Sequence, residues 1–330
     1  MKTSKFNFYF GLFVLTSLFG LTSCEDVDTF EPYDKPATFN FSRPESKLAL
    51  QDLKDKSLSF QVYSNFGGTF IFPDSSMITF YPQSFLLNGV PVTNKIIEIE
   101  IDLVRRKSDM VEQLLATSSG NKIIESGGMV NVRAFCDGKE LTVDPQIGYN
   151  LKIAVPNGNI PVEMELFYGE ETVNGINWVE ADGDPSVQNN VFQSEWTLDS
   201  TGRFVIGMEC FPKKFGWVNC DYFSKFNNVP LTQPCLIVNG PANGDSVFLH
   251  AIAVFKKEMI IIQPCCNQQV DEICFGPLPI GEPVYYIVIG KGNKGYYLGY
   301  VEKNIETDDK VVIRIDLKTL QEIKDFLANL

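Results

Sequence analysis

Histidine is almost missing: His250 is the only one in 330 residues. It stands in the apolar run Val247-Phe248-Leu249-His250-Ala251-Ile252, so a Ser-His-Asp arrangement has a single possible base, and the residue reads as part of a strand. No Gly-x-Ser-x-Gly elbow, P-loop or strand-following dinucleotide fingerprint accompanies it. Runs of five or more basic residues are also lacking, and the net charge is −13. Phosphate backbones would be repelled, which excludes nucleic acid as a partner. Outside the N-terminal segment no stretch of apolar residues is long enough to span a bilayer. The nearest approach, residues 247–262, is broken by Lys256-Lys257-Glu258. Cys-x2-Cys spacing is absent too, so neither metal nor cofactor is expected.

What is present begins at the N-terminus. Lys2 and Lys5 precede an apolar stretch from Phe6 to Gly20, followed by Leu21-Thr22-Ser23-Cys24. A short positive segment and an apolar segment ending in small residues fit a secretory signal. The last four residues resemble the lipobox of bacterial lipoproteins. In that reading residues 1–23 are the signal peptide, and the Cys24 thiol takes a diacylglycerol. The acyl chains, palmitate among them, hold the protein to the membrane. Residues 24–36 form an acidic tether, opening Cys24-Glu25-Asp26-Val27-Asp28. Acidic residues at that point resemble the export signal of surface lipoproteins in Bacteroidetes. The expected location is the cell outer membrane, lipid-anchored, with the body exposed on the surface.

The body reads as all-β. Ile96-Ile97-Glu98-Ile99-Glu100-Ile101-Asp102-Leu103 alternates apolar and acidic residues, placing one face in a core and one in water. Similar short runs occupy 37–41, 129–135, 151–155, 164–168, 203–208, 284–289 and 311–315. Turn signals separate the runs, among them Asn65-Phe66-Gly67-Gly68, Pro156-Asn157-Gly158 and Asn239-Gly240-Pro241. Helical pattern is confined to 108–116, with Ser108 as the cap, and to 319–330. Two β-sandwich-like domains are expected, at 37–158 and 159–330, the second ending in the short helix.

Residues 65–155 carry a resemblance. Gly67-Gly68-Thr69, then Ile78-Thr79-Phe80-Tyr81-Pro82-Gln83-Ser84-Phe85 and an alternating strand, resemble the β-sandwich domain of ankyrins, netrin receptors and zona-occludens scaffold proteins. Four further motifs are similar to those of a group of Bacteroidetes lipoproteins with no assigned activity. They are Gly89-Val90-Pro91-Val92-Thr93, Ser108-Asp109-Met110, Glu125-Ser126-Gly127-Gly128-Met129 and Gly216-Trp217-Val218-Asn219-Cys220-Asp221. The resemblance implies a sandwich and a scaffold-type role. The His-Phe-Ser site at which some eukaryotic relatives cleave themselves is absent.

Seven cysteines remain after Cys24: Cys136, Cys210, Cys220, Cys235, Cys265, Cys266 and Cys274. An exported chain permits disulfides; Cys274 with Cys265 or Cys266 would close a short loop, and Cys210 with Cys220 could staple a hairpin. Trp217, Tyr222 and Phe223 are candidate ligand-binding aromatics, able to stack on sugars or present a hot spot to a protein, or else to fill a core. Asp182-Gly183-Asp184 with Glu180 resembles the start of a Ca²⁺ loop but lacks its remaining ligands, and reads better as a turn. No catalytic residue is assigned. The expected function is non-enzymatic binding or scaffolding of an envelope protein or glycan. A surface carbohydrate-binding lipoprotein is the alternative, and a hydrolase using two carboxylates ranks below it.

Overall fold

The computed structural model describes residues 37–155, 158–172, 175–181, 191–198, 202–241, 243–265 and 272–330, except for the side chains of Arg43 and Asn227. The lipobox, Cys24 and the tether therefore lie outside the described residues, as do Cys266, Asp182 and Asp184.

The fold is all-β. In sheet 1 the main strands run in the order Gly175–Glu180, Glu165–Thr172, Gly216–Phe223, Lys122–Cys136, Ile96–Val104 and Leu58–Tyr63. Sheet 2 runs Phe192–Thr197, Phe204–Cys210, Tyr149–Ala154, Met77–Phe80 and Gly68–Ile71. Their facing sides close one core: Ile97, Ile99, Ile101, Val130, Val132 and Val218 from sheet 1 meet Ile78, Phe80, Tyr149, Leu151 and Ile153 from sheet 2. The alternation read at 96–103 is this geometry, since every second side chain points inward.

Sheet 3 holds Thr38–Asn40, Ser246–Phe255, Pro283–Gly292, Gly295–Asn304 and Asp316–Lys318, with Ile261–Ile262 paired beside Ser246–Phe255. Sheet 4 holds Ile273–Cys274, Cys235–Asn239 and Lys310–Arg314. Leu236, Val238, Val311 and Ile313 of sheet 4 cover Val247, Leu249, Ala251, Val284 and Tyr286 of sheet 3. The opposite face of sheet 3 is buried as well. There Ile252, Val254, Ile287 and Ile289 pack with Val104, Met110, Met129, Phe167 and Trp178 of the first sandwich, and with Ile323 and Leu327 of the terminal helix. Burial on both faces is why 247–255 reads as a continuous apolar run rather than an alternating one.

The boundary expected at 158/159 falls inside the first sandwich. Glu165–Thr172 pairs with Gly216–Phe223, which pairs with Lys122–Cys136, so both sides of residue 158 contribute to sheet 1. Tyr149–Ala154 pairs with Phe204–Cys210 across the same point in sheet 2. The expected boundary lies in the connection that carries the chain from Tyr149–Ala154 in sheet 2 to Glu165–Thr172 in sheet 1.

Helix α1, Arg43–Ala49, has Pro44 in its first turn and no apolar periodicity strong enough to announce it. Helix α2, Lys107–Glu112, begins one residue before the expected cap. Its capping is done by Asp109, whose Oδ2 accepts from Arg105 N at 3.0 Å and Arg106 N at 3.0 Å, and Ser108 lies buried inside the first turn. Helix α3, Leu320–Leu327, follows the expectation. Thr319 Oγ1 accepts from Glu322 N at 3.2 Å while Glu322 Oε2 accepts from Thr319 N at 2.8 Å, closing a capping box.

Candidate functional site

Two of the four sequence motifs pair in space. Glu125-Ser126-Gly127-Gly128-Met129 lies within the strand Lys122–Cys136, and Asn219-Cys220-Asp221 lies opposite it. Asn219 faces Met129 and Asp221 faces Ser126, so Gly127 and Gly128 together oppose Cys220 in a β-bulge. Gly128 has φ +144°, and a Cβ there would sit 2.0 Å from Arg105 Nη1. Only glycine allows this bulge.

Arg105 leaves the strand Ile96–Val104 directly before α2. Its Nη1 donates to Gly127 O at 2.6 Å, its Nη2 donates to Ala154 O, and its Nε donates to Asp74 Oδ2 at 3.1 Å. One guanidinium thus joins the bulge of sheet 1 to the end of a sheet 2 strand. Burial pushes its pKa down, and Asp74 pulls the other way.

Behind the bulge runs a buried polar chain. Ser126 Oγ accepts from Gly128 N at 3.1 Å and donates to Asn219 Oδ1 at 2.8 Å. Asn219 Nδ2 in turn donates to Asp221 Oδ2. Asn219 and Asp221 are fully buried, and Asp221 Oδ1 has no hydrogen-bond partner among the described residues. Burial pushes the Asp221 carboxyl well above the ordinary aspartate range, against the opposing influence of the polar neighbours Ser126 and Asn219. The segment 256–260 closes over this end of sheet 1, where Ser126 N donates to Met259 O at 3.1 Å. Lys107 Nζ of α2 donates to Lys256 O at 2.7 Å, and burial lowers its pKa. The cluster is a joint: its donors and acceptors hold the bulge and fasten the first sandwich to sheet 3.

The candidate aromatics flank this joint. Trp217 meets Trp178 edge-on with ring centroids 6.5 Å apart, and Phe223 meets Phe167 edge-on at 5.7 Å. Both are half-buried against the core shared with sheet 3. Tyr222 is half-buried, its hydroxyl bonded to Glu125, and burial together with that carboxylate raises its pKa. The most exposed ring among the described residues is elsewhere, at the tip of the first sandwich. Phe66 is 76% exposed and stacks on Tyr63 with centroids 5.4 Å apart, and Tyr63 pairs across the sheet with Ile96, 56% exposed.

This tip is held firmly. Asn65 Nδ2 donates to Asn94 Oδ1 at 2.6 Å while Asn94 N donates to Asn65 Oδ1 at 2.9 Å. Ser64 N donates to Lys95 O at 2.9 Å, and Gln83 N donates to Ser64 O at 3.0 Å. Gly67 turns the chain at φ +67°, with the Phe80 carbonyl where a Cβ would stand. The Gly67-Gly68 signal was legible in the sequence; the exposure of Phe66 was not, because a turn phenylalanine and a core phenylalanine look alike.

The cysteines pair differently from the expectation. Cys274 is bonded to Cys235 with an S–S distance of 2.07 Å, because antiparallel register sets Cys235 directly opposite Cys274. Cys265 meets Cys274 through its backbone, Cys265 N donating to Cys274 O at 3.1 Å, so the short loop from Cys274 to Cys265 or Cys266 is not the pairing found. Cys210 and Cys220 are both buried, with sulfurs 3.7 Å apart and no bond between them. Among the described residues, Cys235, Glu272 and Cys274 are the grouping of metal-ligand type, and the disulfide consumes both sulfurs. Glu180 ends the edge strand of sheet 1, exposed. His250 is buried in sheet 3 opposite Ile289. No helix among the described residues is long and apolar enough to cross a membrane. The chain matches no protein-family model and no curated protein.

Proposed function

We propose that this chain is a lipid-anchored protein of the cell outer membrane that acts as a non-enzymatic binding or scaffold module, with the tip of the first sandwich as its contact surface. The observation that carries the reading is Phe66, an aromatic side chain left largely in water on a turn that is fixed by four hydrogen bonds. Exposing a ring in this way leaves hydrophobic stabilisation unused, whereas a rigid exposed ring loses little conformational entropy when a partner covers it. Phe66, Tyr63 and Ile96 together offer the aromatic and aliphatic surface typical of a protein-binding hot spot. That chemistry favours a protein over a glycan among the two partner classes.

Two outcomes test the reading. A photoreactive phenylalanine at position 66, irradiated in intact cells, is expected to yield a discrete adduct that a probe at exposed Leu317 does not give. No adduct at 66, or the same adducts from both positions, would count against the tip. Tyr63→Ala in the same probe strain should weaken the adduct while shifting stability by no more than about 0.5 kcal/mol, as for most surface changes. The anchor is tested separately. Cys24→Ala is expected to abolish incorporation of an alkynyl fatty acid, and undiminished labelling would remove the anchor from the proposal.

A further inference from the structure

We infer that Cys210 and Cys220 are oxidised to a disulfide in the mature protein, a modification site that staples the two sheets of the first sandwich. Cys210 is the last residue of the sheet 2 strand Phe204–Cys210, and Cys220 lies in the sheet 1 strand Gly216–Phe223. Both belong to the core between the sheets, at 1% and 0% exposure. Their sulfurs are 3.7 Å apart, and a bond at about 2.05 Å asks for an approach of about 1.7 Å. A second, independent observation sets the redox conditions. The same chain carries the Cys235–Cys274 disulfide, and disulfides of this kind persist where thiols are oxidised.

The chemistry needs an oxidant, which we name by class as a protein thiol–disulfide oxidase of the envelope. One cysteine thiolate attacks the oxidase disulfide and forms a mixed disulfide, releasing one oxidase thiolate. The second cysteine, as thiolate, displaces the other oxidase sulfur. The two cysteines lose two electrons and two protons, and the oxidase leaves as a dithiol. The folded sandwich hides both sulfurs from such a protein, and the hydrogen bond with Cys220, followed by burial, raises the Cys210 thiol well above its usual pKa. Oxidation therefore belongs to the chain before the sheets close, helped by a separation of only 10 residues. Once the sandwich forms, the bond is out of reach of reductants for the same reason.

The test uses the full mature chain taken from the envelope, unfolded in the presence of an alkylating reagent without reductant, then digested and mapped by mass spectrometry. The expected result is two linked pairs, Cys210 with Cys220 and Cys235 with Cys274. Alkyl groups on Cys210 and Cys220 beside an intact Cys235–Cys274 link would overturn the inference, as would alkylation of all four. Timing gives a further check. Oxidised glutathione supplied during refolding of the reduced chain should link Cys210 to Cys220, and the same reagent added after folding should not. Linkage absent under both conditions would also overturn it. The double variant Cys210→Ala with Cys220→Ala, compared with the oxidised protein, should show a folding equilibrium constant lower by roughly 100-fold, as expected for a loop of this length; an unchanged constant would remove the stapling role.

Discussion

Replacing Arg105 with methionine is expected to lower the unfolding free energy by about 3 kcal/mol. Methionine keeps most of the length and apolar stem of arginine but offers no donor. The carbonyls of Gly127 and Ala154 would each lose a charge-assisted bond inside the structure, and an unsatisfied buried acceptor costs about 1–3 kcal/mol. Two opposing effects moderate the total. Asp74 is about one-third exposed and rehydrates once its partner is gone, and removal of a buried guanidinium relieves its own desolvation. Arg105→Lys should fall between the two proteins, since one ammonium cannot serve both sheets in the way a planar fork does. Equilibrium urea unfolding at neutral pH gives the comparison. A methionine variant within about 0.5 kcal/mol of the parent would show that the two carbonyls find other donors and that Arg105 is not the fastener.

Changing Asp221 to asparagine is expected to stabilise the protein at neutral pH and to flatten its pH dependence. The direction follows from proton linkage. In the folded chain burial raises the Asp221 carboxyl well above the model-peptide 3.8 it has when solvated. Above that lower value the unfolded chain has released a proton that the folded chain still holds. Stability therefore falls as pH rises, with a slope of about 1.4 kcal/mol per pH unit, until the folded carboxyl also ionises. Asp245 and Glu209 act in the opposite sense, because backbone and side-chain donors hold their carboxyls below the usual range and their contribution is lost on acidification. The difference between parent and Asp221→Asn isolates the buried group from these. Denaturant midpoints measured from about pH 4 to 8 should converge at the acid end and diverge toward the alkaline end, with asparagine the more stable. Parallel curves would mean that the Asp221 proton is lost equally in both states.

Much of this architecture was legible in the residues, and the exceptions share a cause. Strand alternation at 96–103 and the helical spacing of apolar residues at 319–330 are local, and the structure places a strand at Ile96–Val104 and a helix at Leu320–Leu327. The strand Lys122–Cys136 was only partly visible, because Gly127-Gly128 looks like a turn and is instead a bulge through which pairing continues. The reading of Trp217, Tyr222 and Phe223 as candidate aromatics took account of composition but not of what the opposite strand supplies. Asn219 and Asp221 alternate with buried Val218 and Cys220, and only the pairing with Lys122–Cys136 brings Ser126 to them. Pairing between distant strands also decided the cysteines. Cys235 is 39 residues from Cys274, and only the register of sheet 4 brings them together. Partition of the chain at residue 158 failed for the same reason: a Pro and Gly cluster marks a turn, and a turn does not say which strands will pair beyond it.

One consequence concerns the order in which the chain becomes complete. The first described strand, Thr38–Asn40, lies parallel to Ser246–Phe248 in sheet 3, with Thr38 N donating to Asp245 O at 2.8 Å across 207 positions of sequence. Contacts of such high contact order form late, since the loop must close before they reward it. During synthesis the segment before Leu58 lacks its partner strand while every strand of the first sandwich already has its neighbours. Thr38–Asn40 is thus locked only once Ser246–Phe255 is present, and a chain stopped short of residue 246 would leave it without its partner strand.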